Sequence, residues 1–477
     1  MNKHWKSTRD WEPTSQQLQY YQLNKKGEWK LKPVVKIFDL LLNTTILKHL
    51  RLYPGCSEFF IYDFDKKYYV SQTPSEIFIV INQAFKAVGS DEFREPQTVT
   101  KAFNYYKNEI GLSGRPPYNP HLLCMTNGIF HLKTKELVPH TPDIFVTFRV
   151  SYGYDPQAQC PLFLDFLCGF THNLEDRQLF LKAVCVVVMF QMTSCQVFIN
   201  LLGPGSTGKS TFAIILTALI GKESTLTTSL KALNSDPFEL VNLERTKLIL
   251  LSDSERYTGD LSVVKQICGG DALKGRKKFH QGAIEVQPEG ILFLVTNHPL
   301  VANDTSNSIL RRIRTFPADA VSSKRESLLY YSNQEWEGPL VAELPGIFNW
   351  AISIDQQIAT KVMANTYEMI PSMKHAYVEN QNRLNPLISW VEEELTSGEG
   401  AYVGYTPESG PKAYVEQRHR RSLYPSYIAW CKKQQQKEMT HRAFLESLMR
   451  TLSQMGTFKI ERIRREFGLY IKGVCLK

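Results

Sequence analysis

The chain has 477 residues, 56 Lys and Arg against 47 Asp and Glu, and a net charge of +9. At roughly 150 residues per domain this implies two to four domains, and 43% hydrophobic against 22% charged residues excludes a disordered chain. The longest purely apolar run, Ala183 to Phe190, has eight residues, far short of the ~20 of a membrane span. An integral membrane protein is therefore excluded, and no secretory leader is read at the start.

The nine cysteines form no Cys-x-x-Cys pair and have no histidines at zinc-ligand spacing. They read as free, mostly buried thiols of a reducing compartment: cytoplasm, or an organelle stroma or matrix, and not a secreted protein. Charge is uneven. Residues Pro411 to Lys477 carry a balance of +10, which leaves the first 410 residues at −1. A basic module at one end of a near-neutral chain points to an anionic partner such as nucleic acid.

In chain order, a polar Gln- and Lys-rich opening precedes KIFDLLLNTTILKHL, which has helical apolar spacing, and the strand-like FFIYDFDKKYYV. PSEIFIVINQAFKAV reads as a helix with a serine near its start. After the proline-rich break at 115–122, residues 127–150 read as a short hairpin with turns at Asn127-Gly128 and Lys133-Thr134. A helical region runs to about residue 195. Three fully apolar runs then alternate with helices: VFINLL, KLILLS and ILFLVT, as buried strands of a mostly parallel sheet do. The last hundred residues are mixed helix, ending in the strand-like FGLYIKGVCL.

The most specific feature follows VFINLL directly: Gly203, Pro204, Gly205, Ser206, Thr207, Gly208, Lys209, Ser210, and then Thr211 opening a helix. This is the phosphate-loop pattern in its required setting of strand, loop and helix. The glycines let consecutive amides face an anion, and the helix N-terminus adds to the field. Lys209 would sit among the outer phosphates of ATP and Ser210 would ligate Mg²⁺. KLILLS ends in Asp253, a second candidate Mg²⁺ ligand, with Glu255 two residues on to polarise water. ILFLVT leads to Asn297, placed to orient that water, and Arg311 and Arg312 follow; one of them would meet the transferred phosphoryl group, often from a neighbouring subunit. Arg312 is preferred to Arg311. Between the second and third runs, Lys274, Arg276, Lys277 and Lys278 crowd a glycine-flanked loop before Phe279, suited to phosphates and a stacked base.

This order of motifs resembles superfamily 3 helicases, and most closely the phage and plasmid primase family related to poxvirus primase-helicases. TNGIFHLKTKELVPHTPDIFVTFRVSYGYDPQAQCPLFLDFL is similar to the segment preceding the ATPase in that family, ELPGIFNWAI to its following helix, and residues 424–449 to its C-terminal module. The resemblance implies an α/β, AAA+-like ATPase core with a mostly parallel sheet, a helical N-terminal region and a C-terminal winged-helix-like domain. It further implies a hexameric ring around single-stranded DNA, moving 3′ to 5′, with Lys274, Arg276 and Lys277 matching the DNA-tracking loop. The boundaries read are 1–100 for an accessory region, 101–195 for a helical domain, 196–355 for the ATPase and 385–477 for the basic DNA-binding domain. Two departures stand out: the acidic pair is split by Ser254, and residues 1–100 carry neither an acidic polymerase triad nor a zinc module. A helicase without primase activity is expected, with a separate primase or polymerase as partner. The alternative is a DNA-binding initiator or loader whose ATPase switches its assembly state.

Overall fold

The computed structural model describes residues 12–44, 46–54, 58–90, 93, 95–114, 116–253, 261–276, 282–300, 308–320, 327–378, 386–405, 422–434, 438–455, 458–465 and 468–477. The chain divides into two units, Met1–Asp155 and Pro156–Lys477. The division falls inside the stretch 101–195.

The first unit contains β1 (Tyr21–Leu23), β2 (Trp29–Leu31), α1 (Val34–Thr44), β3 (Leu50–Tyr53), β4 (Glu58–Asp63), β5 (Tyr68–Gln72), α2 (Pro74–Lys86), α3 (Pro96–Glu109), β6 (Leu122–Met125), β7 (Gly128–His131) and β8 (Glu136–Val138). It is a mixture of helices and antiparallel sheets, which corrects the expected helical N-terminal region. The apolar run 59–70 is the reason. It breaks at Asp63–Lys67, where Lys67 takes φ 68, so the run folds back as the β4–β5 hairpin. One face of β3-β4-β5 is covered by α1, α2 and α3 through Phe38, Leu41, Ile77, Ile81, Phe85 and Phe103. The N-cap of α2 is Thr73, two residues ahead of the serine noted in the sequence, in a reciprocal capping box with Glu76. The turns expected at 127–128 and 133–134 join β6, β7 and β8 into a three-stranded meander.

The second unit opens with α4 (Pro161–Phe170) and α5 (Glu175–Met189), followed by β9 (Phe198–Leu202), α6 (Lys209–Ile220), β10 (Thr225–Thr228), α7 (Leu230–Ser235), β11 (Leu248–Asp253) and α8 (Ser262–Gly269). Next come β12 (Leu273–Gly275), β13 (Ile284–Val286), β14 (Ile291–Thr296), β15 (Ile313–Pro317), β16 (Tyr330–Ser332), β17 (Glu335–Glu337), α9 (Leu344–Ala351), α10 (Gln356–Ala364) and α11 (Thr366–Met369). Five strands form one all-parallel sheet in the order β10-β11-β14-β9-β15. The three apolar runs are its middle strands, and burial on both faces explains their apolarity, interrupted in β9 by buried Asn200, which donates to the Thr315 Oγ1 at 3.2 Å. Phe170, Phe180, Phe212, Phe293 and Phe316 stack in a chain on one face. On the other, Leu233, Val264 and Ile267 pack against Ile249, Leu251, Leu292 and Leu294.

The chain ends with α12 (Pro386–Glu394), β18 (Leu395–Tyr402), α13 (Leu423–Lys433), α14 (His441–Met455), β19 (Glu461–Arg465) and β20 (Gly468–Leu476). The strands pair antiparallel in the order β18-β20-β19. Trp390, Tyr427, Phe444, Ile471 and Val474 form the core between this sheet and the helices.

Candidate phosphate-loop site

Parallel register brings the functional segments together. Leu202 of β9 pairs with Thr296 of β14, and Thr296 pairs with Asp253 of β11. The loop 203–208, Asp253 and Asn297 therefore leave the sheet side by side at the carboxyl ends of its strands, where open α/β sheets bind ligands. The β15 end joins them, because Pro317 pairs with Leu202 and the Ala318 amide donates to the Leu202 carbonyl at 2.7 Å.

Two glycines let the loop take its path. Gly208, the N-cap of α6, holds φ 90, and a Cβ there would lie 3.1 Å from the Phe166 ring of α4. At Gly203 a Cβ would overlap the Ala318 carbonyl oxygen. Among the described residues a Cβ at Gly205 would meet no atom within 4 Å, which leaves room for an anion at the loop's centre.

Lys209 is 5% exposed. Its ammonium donates to the Gly203 carbonyl at 2.7 Å, the Pro204 carbonyl at 2.6 Å and the Thr207 Oγ1 at 3.2 Å. Burial lowers its pKa from the ordinary lysine value, and phosphate oxygens would supply the missing counter-charge. The donors present fit a polyphosphate: a cationic ammonium, the amides of a glycine loop and an exposed Ser210 at a helix start. A Mg²⁺ ion takes most of its ligands from phosphate and water, so few protein ligands would be needed, and Ser210 and Asp253 are the candidates. Among the described residues no cluster of three His, Cys, Asp or Glu side chains forms a metal cage.

The other expected residues fall as follows. Asn297 is exposed just beyond β14, in a turn tied by Thr296, whose Oγ1 donates to the His298 carbonyl at 2.8 Å. Arg311 is exposed. Arg312 is 9% exposed and donates to the Ser308 carbonyl at 2.9 Å. Lys274 and Arg276 alternate with buried Leu273 and Gly275, and both point to solvent. Their strand pairs with β13, and the Arg276 amide donates to the Pro237 carbonyl at 2.9 Å. Glu255, Lys277, Lys278 and the side chain of Asp253 lie outside the described residues.

One group had no sequence signal. Arg177 of α5 is 6% exposed and grips Asp319, just past β15, with Nη1 to Oδ1 at 2.7 Å and Nη2 to Oδ2 at 3.4 Å. His172 Nε2 lies 2.9 Å from the same Oδ1. Partial burial would raise the Asp319 carboxyl, but the Arg177 contacts and His172 outweigh it and hold it below the usual carboxylate range. Arg177 and Asp319 are 142 positions apart, so only the fold brings them together.

Among the described residues no helix is long and apolar enough to cross a membrane. Eight described cysteines are free thiols, five of them buried.

Comparison with known proteins adds the family. Residues 114–171 match the family described as D5 N terminal like, and residues 201–312 match a family of unknown function, DUF5906. The chain is 31% identical over 126 residues to "Uncharacterized mitochondrial protein ymf20" of Marchantia polymorpha, spanning 26% of this chain and 75% of that protein. It is 27% identical over 144 residues to ymf21 of the same organism, spanning 29% of this chain and 73% of that one. Among solved structures it is similar to the apo NrS-1 C-terminal region, with a TM-score of 0.48, 12% identity, and coverage of 94% of this chain and 100% of that chain. The A form of that region gives a TM-score of 0.46 and 11% identity at the same coverage. At 31% identity over three-quarters of its length, ymf20 and this chain are members of one family. The D5-type segment, followed by the strand, glycine loop and helix of residues 198–220, is consistent with a phage-type primase-helicase.

Proposed function

We propose that the chain is an ATP-hydrolysing DNA helicase of superfamily 3 type that works on single-stranded DNA in the replication of a phage, plasmid or organelle-resident element. The observation that carries this reading is the register of Leu202, Thr296 and Asp253, which gathers the phosphate loop and the second and third functional strands at one edge of the sheet. The strand order, with β9 between β14 and β15, supports an AAA+-type core over residues 196–355. Three helices on a three-stranded antiparallel sheet support a winged-helix-like DNA-binding module over 385–477. The mitochondrial relatives suit an organelle matrix.

In this reading the loop amides and Lys209 hold the β- and γ-phosphates of ATP, and Ser210 and Asp253 hold Mg²⁺. The metal, when bound, neutralises charge on the phosphates. Asn297 orients the attacking water and Glu255 polarises it. Arg311 reaches the neighbouring subunit's γ-phosphate in a ring, hexameric by family resemblance; its exposure favours it over Arg312. Lys274 and Arg276, with Lys277 and Lys278 beyond them, hold the DNA backbone. A separate primase or polymerase would complete replication. The +10 C-terminal stretch favours a second reading, an initiator or loader that switches assembly state without unwinding.

The test is ATP hydrolysis with and without single-stranded DNA, beside Lys209→Ala. Stimulation by DNA, with turnover falling roughly 10²-fold or more in the variant, is expected, because the developing phosphate charge loses its cation. Hydrolysis indifferent to DNA favours the loader. Turnover unchanged in Lys209→Ala defeats the site.

A further inference from the structure

The phosphate loop is held at both ends by one element outside the sheet. Helices α4 and α5 are joined by a short turn through His172 and Asn173, both in the left-handed region at φ 53 and φ 54. The N-terminus of α4 is fixed by Glu343, whose two carboxylate oxygens accept from the Leu162 and Phe163 amides at 2.9 Å each. Along α4, Phe166 and Phe170 lie against Gly208, where the loop ends.

Past this turn, Arg177 reaches the place where the loop begins. Its guanidinium lies over the Phe316 ring at 5.7 Å and donates to the Pro317 carbonyl at 3.3 Å as well as to Asp319. Pro317 and Asp319 are the two neighbours of Ala318. Ala318 in turn bonds Leu202 and crowds Gly203, the first loop residue. A fork on both neighbours restrains Ala318 between them. Among the described residues the buried Nε of Arg177 has no hydrogen-bond partner. An apolar residue would fill that space without the desolvation cost, so packing alone does not account for an arginine.

We propose that Arg177 is a positioning residue for the phosphate loop: through Asp319 and Pro317 it sets Ala318, and through Ala318 the backbone amides that receive the nucleotide's phosphates. The inference rests on the nucleotide reading of the loop. The loop amides hold the phosphates in ground and transition states alike, so their misplacement weakens binding more than it slows the bound reaction.

The test compares Arg177→Met, Arg177→Lys and Asp319→Asn in the full chain, measuring KM for ATP, kcat at saturation and the calorimetric affinity for ADP. Arg177→Met is expected to raise KM and the ADP Kd about 10-fold or more with kcat within about 3-fold of wild type. Arg177→Lys, which keeps one charged bond to Asp319, should recover most of the affinity. The half-exposed Asp319→Asn should weaken ADP binding in the same direction, which keeps the test decisive if Arg177→Met fails to fold. Unchanged ADP affinity in Asp319→Asn, or no recovery by lysine, overturns the proposal. Lys209→Ala serves as the reference. Lost ADP binding there beside normal binding in the Arg177 and Asp319 variants sinks this inference alone, and normal binding in Lys209→Ala sinks the nucleotide site itself.

Discussion

Lys247 donates to the Met189 carbonyl at 3.0 Å, joining the start of β11 to the end of α5 in a fully enclosed site. Burial pushes its pKa down to about 7, far below the ordinary lysine value. Between that value and the unfolded lysine's ~10.4 the unfolded chain binds more protons, so stability rises with pH there, by at most ~1.4 kcal/mol per pH unit. Below pH 7 the full penalty applies. Lys247→Met should flatten the slope between pH 7 and 10 in denaturant titrations, and a slope equal to wild type would refute it.

At the loop, Gly203→Ala forces a Cβ onto the Ala318 carbonyl, while Gly205→Ala adds one in open space. The first should cost roughly 1–3 kcal/mol of stability and the second less than about 0.5. Equal melting temperatures for the two variants would contradict the close approach of Ala318.

Adjacent arginines should separate cleanly. Arg311→Ala is expected to keep stability within ~0.5 kcal/mol while lowering DNA-stimulated turnover by about 10³-fold. Arg312→Ala, which loses the bond to Ser308, should instead lower stability by ~1–3 kcal/mol. A reversed pattern would restore Arg312 as the finger.

Lys274 and Arg276 share the solvent face of their hairpin, and each should release counterions on binding a single strand. Removing both should reduce the slope of log affinity against log salt by ~1.4. An unchanged slope in filter-binding titrations would take these residues off the DNA path.

How far the sequence carried can be read strand by strand. The strands β9, β11 and β14 are legible because both their faces are buried, which leaves apolar runs with flanking turn signals. β10, with the sequence TLTT, has no fully buried residue and lies at the sheet edge, so its polar threonines hide it. β15, IRTFP, is masked by Arg314, which is buried yet satisfied by the Met363 carbonyl at 2.7 Å. The strand, glycine loop and helix of residues 198–220 are legible because their signals are local. The Arg177 grip on Asp319 is not, because no spacing rule links residues 142 apart.

The β12–β13 hairpin has a mechanical consequence. Its turn end is stitched to Pro237 through the Arg276 amide and packed on Val241, which lies 2.8 Å from where Gly275 would carry a Cβ. Residues 237–241 precede β11 in the chain, and α8 lies between β11 and the hairpin. The hairpin thus rests on the segment that leads into the strand carrying Asp253, so a displacement of Gly275 and Arg276 would press first on Pro237 and Val241, ahead of that strand.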